Sequence, residues 1–181
     1  MLSLVEIRLL WGGFSRLMRD IMNININSRV AICLAYAEHT LNYFENEFKG
    51  GYYNQAFEQF RSIINMGYKW ISGSVIDWEE LYTLCNDDER DYGCFNFVAM
   101  FECSDKYETP ISVLIWTIYY LIYQCAHHSN EMYFPQDLWD GHLPPEEEKN
   151  IIETLHIEVN EYLSTETCEK LKLVEKKYRS C

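Results

Sequence analysis

His127, His128 and Glu131 are the group in this chain whose types and spacing most readily suggest chemistry. On a continuous helix, His127 and Glu131 share a face at i,i+4 and His128 and Glu131 at i,i+3. Two imidazoles and a carboxylate brought together in this way could ligate a metal. The pattern HHxxE is not the HExxH of a zinc protease, however, and no second segment is spaced to complete a ligand set. Histidines at a helix C-terminus also complement its negative pole. That structural role is the reading taken here, and neither metal nor cofactor is expected. His39, His142 and His156 stand apart from one another.

Nucleophilic chemistry has even less support. The seven cysteines (Cys33, Cys85, Cys94, Cys103, Cys125, Cys168 and Cys181) are odd in number, no two are closer than nine residues, and none form a CxxC. This argues against a disulfide framework and a zinc ribbon and fits reduced, buried thiols in a cytoplasmic protein. There is no glycine-rich phosphate loop and no GxSxG elbow. Carboxylates are plentiful, but a catalytic pair needs a desolvated pocket that separates two pKa values. The runs NDDERD (86–91) and EEE (146–148) read as solvated acids instead. The chain is therefore not expected to be an enzyme.

The distribution of charge is more informative. Residues 1–69 carry seven Lys/Arg and six Asp/Glu, and residues 149–181 carry six of each. Residues 70–148 carry sixteen acids against two bases, Arg90 and Lys106, and 107–148 contain no Lys or Arg. Such a field repels phosphate backbones and anionic lipid, so neither nucleic acid nor membrane is an expected partner, whereas a basic protein would be drawn in. Aromatic residues, typical anchors of interfaces, lie among these acids. The candidate partner-binding residues are therefore Asp77, Trp78, Glu79, Glu80, Asp87, Asp88, Glu89 and Asp91 in one cluster. Glu131, Tyr133, Asp137, Trp139 and Asp140 form the other. Trp70 and Trp116 lie on strongly apolar faces and are expected in the core.

The elements that must hold these residues read as helices throughout. Hydrophobic residues make up 48% of the chain, with only 8 Gly and 4 Pro to supply turns, which disfavours a sandwich or barrel. Helices are expected over Leu2–Met22, from an N-cap at Ser28 to Gly50-Gly51, from Asn54 to Gly73, from Asp77 to Cys85, over Tyr92–Glu102, from Thr109-Pro110 to His128, from Pro144-Pro145 to Leu163, and from Ser164 to Arg179. The stripe Val30, Leu34, Ala37, Leu41, Phe44 and Phe48 marks one helical face. The longest apolar run, Ile111–Ala126, is shorter than a bilayer span and interrupted by polar residues, and the helix 110–128 that contains it is apolar almost all round, so it reads as the central buried helix. The start of the chain lacks the uninterrupted apolar stretch of a secretory signal. The expected architecture is an all-α single domain over 1–181, with seven to eight helices around helix 110–128 and with residues 1–27 peripheral or partly disordered.

The segments RVAICLAYAEHTLNYFE, AFEQFRSIINMGYKWISG, IDWEELYTL, PISVLIWTIYYLIYQCAHH and YFPQDLWD, in that order, resemble the all-helical immunity proteins of bacterial polymorphic-toxin systems, notably the group called immunity protein six. The resemblance covers roughly residues 28–140 and rests on the order and character of helices. It implies stoichiometric binding to a cognate toxin domain, without a cofactor. Many such toxins are basic nucleases, whose clefts an acidic inhibitor complements. Two other readings fit the composition: a helical adaptor or regulatory protein of another system, and, further off, a metal-dependent enzyme built around His127 and Glu131.

Overall fold

The computed structural model describes residues 24–48, 53–86, 105–131, 135 and 143–179. These residues form six α-helices and no strand: α1 (Ile26–Glu47), α2 (Asn54–Ile71), α3 (Trp78–Cys85), α4 (Asp105–His128), α5 (Pro145–Tyr162) and α6 (Thr165–Arg179). The fold class is all-α, as the sequence requires. The two further helices expected over Leu2–Met22 and Tyr92–Glu102 lie outside the described residues.

Two helix starts differ from expectation. Helix α1 begins before Ser28: Asn25 is its cap, and the Asn25 side chain accepts from the Ser28 N–H at 2.8 Å. Asparagine caps as well as serine does, so the chain uses the earlier of two adjacent signals. Helix α4 starts at Asp105 and places Thr109-Pro110 inside it. A proline close to a helix start removes only one N–H from the ladder, which the remaining turns of so long a helix absorb. Elsewhere the local chemistry acts as read. Asp77 caps α3 by accepting from the Glu79 and Glu80 N–H groups at 3.0 and 3.2 Å. Pro144 and Pro145 open α5, and the Ser164 hydroxyl accepts from the Thr167 N–H at the start of α6.

Helices α2 and α4 end in the same way. Gly73 has a φ of 93°, and Ser74 N–H reaches back to the Lys69 carbonyl while Gly73 N–H bonds that of Trp70. Asn130 takes the glycine's role with a φ of 60°, Glu131 N–H bonding to Ala126 and Asn130 N–H to His127. This is the Schellman arrangement, and asparagine is the non-glycine residue that best tolerates the left-handed region it needs.

Helix α4 shares the centre of the fold with α1. Every residue from Ser28 to Ala37 is buried, and α1 packs against α2, α4, α5 and α6. The core between them is aliphatic and aromatic: Leu34, Phe44, Phe60, Leu81, Leu114 and Tyr120 are each at most 1% exposed. Gly67 permits the closest approach of α2, because a Cβ there would stand 2.8 Å from both Leu34 Cδ atoms and 3.0 Å from Leu121 Cδ2. The segment Lys106–His128 is long and apolar enough to cross a membrane, yet 72% of its apolar window is buried inside the fold. A core helix has this property.

Polar contacts fix how α5 lies on this pair. Arg29 meets Glu148, Tyr36 Oη lies 3.0 Å from His156 Nδ1, and the Thr40 and Tyr162 hydroxyls bond to one another. Residue numbers rise together along both helices, so α1 and α5 run parallel. At the first contact, Glu148 Oε1 accepts from Arg29 Nε at 2.9 Å, Tyr120 Oη at 2.5 Å and Gln124 Nε2 at 3.2 Å. A charge in the interior needs an opposite charge and hydrogen bonds together, and Glu148 has both, drawn from α1 and α4.

Candidate functional site

The first acidic cluster and the end of α4 approach the same part of the surface. A hollow of about 340 Å³ is lined by Asn27, Trp70, the 73–76 turn, His128 and Ser129. Asp77 follows directly from this lining, and Glu131 stands two residues beyond it. The helix-ending turn at Gly73 and the end of α4 at His128 and Ser129 thus meet at this hollow. Within the cluster the residues differ in what they already do. Glu79 and Glu80 are exposed, Trp78 is half-buried against the core, and Asp77 is engaged as the α3 cap. Asp87, Asp88, Glu89, Asp91, Tyr133, Asp137, Trp139 and Asp140 lie outside the described residues.

The two histidines that suggested a metal are turned to different neighbours. The His127 ring stacks on Tyr123 at 5.9 Å and 7°, while His128 meets Trp70 edge-on at 5.7 Å and 88°. Among the described residues, no three His, Cys, Asp or Glu side chains are grouped to hold a metal ion. The described thiols fare no better as nucleophiles. Burial raises the Cys125 pKa to about 12. Burial and then the nearby Glu148 carboxylate raise that of Cys33 further, and a protonated thiol is inert.

Lys106 is the base of residues 70–148 that falls among the described ones, and it is paired with Glu47 and lies over the Tyr107 ring. The hydrogen bond that Lys106 donates to Glu47, first of several causes, holds its pKa above the ordinary lysine value. Among the described acids of this segment, Glu79, Glu80, Glu108, Glu146 and Glu147 are exposed, whereas Glu148 is buried against Arg29.

A second depression lies between α4 and α5. Trp116, expected in the core, is 41% exposed on α4. With Asn150, Ile151, Thr154 and Leu155 of α5 it lines a groove of about 230 Å³. Trp70, by contrast, is buried as expected. Because α4 is apolar on every side, periodicity could not tell which of its faces would be left uncovered. The exposed side of α5 carries Glu146, Glu147, Thr154, Ile157 and Glu161.

A family model for immunity protein Imm6 matches residues 28–162. The chain belongs to the Imm6 immunity protein family. The match runs from the first turn of α1 to Tyr162, the last residue of α5. It therefore takes in the Arg29–Glu148 contact, the hollow beside Asp77, and the groove beside Trp116. No curated protein and no solved structure matches the chain.

Proposed function

We propose that this chain neutralises a cognate bacterial toxin domain by binding it stoichiometrically, and that the toxin surface it meets is basic. Membership of the Imm6 family over residues 28–162 carries the first part of this reading. The charge of residues 70–148, sixteen acids against two bases, supports the second. Exposed acids at Glu79, Glu80, Glu146 and Glu147 attract a cationic partner over a Debye length, about 8 Å at physiological salt, and raise the rate of encounter. Binding of this kind needs no cofactor and no turnover, and a cytoplasmic location would place the inhibitor where a toxin made by the same cell first acts.

The test is growth. The toxin domain encoded beside this chain, expressed in a heterologous bacterium, should arrest growth when alone, and co-expression of the chain should restore it. A stable one-to-one complex should then co-purify. Continued arrest in the presence of abundant folded chain would overturn the proposal.

A further inference from the structure

The groove between α4 and α5 has features that the steering acids lack. Its wall is an exposed indole, and a large ring left 41% exposed beside Ile151 and Leu155 offers contact area at little cost in side-chain entropy. Helix α5 contributes the stripe 150, 151, 154, 155, and the next position of that stripe is Glu158. The Oε2 atom of Glu158 is buried and has no hydrogen-bond partner among the described residues. A carboxylate oxygen withdrawn from water without a donor is costly unless something else supplies one.

The surroundings decide the sign of what could fill the groove. Neither 107–148 nor 150–169 contains a Lys or Arg, so both walls come from stretches free of bases. Lys149, the base between them, is paired with Glu153. Glu146, Glu147 and Glu161 lie on the exposed side of α5, and Glu108 is exposed near the start of α4. These acids disfavour an anionic ligand. An arginine fits best: its planar guanidinium stacks on an indole face and donates to carboxylates in a fork.

We infer that the α4–α5 groove is the anchoring site for a basic segment of the toxin domain, with Trp116 stacking against an arginine or lysine stem and the exposed carboxylates of α5 favouring its charged end. This rests on the immunity reading above and adds to it the place of contact. The outlying acids set the rate of encounter, and the groove sets how long the complex lasts.

The experiment measures the affinity of the full chain for the toxin domain encoded beside it, for the unmodified protein, Trp116→Ala and Thr154→Lys. Thr154 is exposed, so a lysine there leaves the core alone while placing a cation in the groove. Should Trp116→Ala fail to fold, judged by helical circular dichroism, Thr154→Lys still decides the matter. Weakening by at least about tenfold, mostly through faster dissociation, is expected for each folded variant. Unchanged affinity of folded Thr154→Lys overturns the groove while the immunity reading stands. If the unmodified chain does not bind, the immunity reading fails and the groove falls with it. If sedimentation shows a dimer of the free chain that Thr154→Lys dissociates, the groove joins two copies of the chain, and the assignment to the toxin is overturned.

Discussion

Glu148 and Glu158 lie ten residues apart on α5, and their surroundings differ in a way that separates folding from binding. Glu148 is buried and accepts three hydrogen bonds on one oxygen, from Arg29, Tyr120 and Gln124. It binds α5 to both central helices. Glu158 is half-buried, and one of its oxygens is out of water with no donor among the described residues. Burial, and then Glu161 beside it, raise its pKa above the ordinary glutamate value. The first carboxylate is committed to the fold, and the second is held at a cost that the free protein does not recover. Natural proteins tolerate such a cost most readily where a surface serves something other than stability.

The largest effect expected from breaking this comparison comes at Glu148. Glu148→Ala leaves Arg29 without its counter-charge in an interior position, and removing one partner of a buried pair costs about 3–5 kcal/mol. Chemical denaturation should show this as a lower midpoint with an unchanged slope; a loss below about 1 kcal/mol would mean that the pair is not desolvated. Tyr120→Phe removes one of three donors to the same carboxylate and should cost about 1.5 kcal/mol by the same measurement.

Glu158→Gln should act in the opposite direction and more weakly. A carboxyl whose pKa is raised in the folded state is protonated there more readily than in the unfolded chain. Its ionisation therefore opposes folding once the pH exceeds its ordinary value of 4.5, and the penalty is absent below that value. The glutamine variant should melt slightly above the unmodified chain at about pH 7, with the advantage vanishing near pH 4. A lower melting temperature at neutral pH would show that Glu158 has a stabilising partner, and the contrast between the two glutamates would collapse.

How much of this was legible beforehand follows from what each signal depends on. Helix ends depend on local chemistry, so Asp77, Gly73, Pro144-Pro145 and Ser164 read correctly, and the error at Ser28 arose where two start signals compete within a few residues. Buried stripes depend on periodicity, which located Val30, Leu34, Leu41 and Phe44. The Arg29–Glu148 contact spans 119 positions, and nothing local distinguishes Glu148 from Glu146 and Glu147 before α5 docks. Trp116 failed for a related reason, since the face that α4 leaves open is chosen by where α5 lies. The absence of Lys and Arg from 150–169 was visible, but its place beside an exposed indole was not.

The claim on which the account turns is that an acidic helical surface captures a basic toxin domain. The most direct measurement is the association rate of the chain with the toxin domain encoded beside it, followed by stopped flow as salt rises from about 50 to about 500 mM. Screening at the higher concentration shortens the reach of exposed charges to a few ångströms, and the rate should fall by at least about tenfold. A rate indifferent to salt would contradict the account.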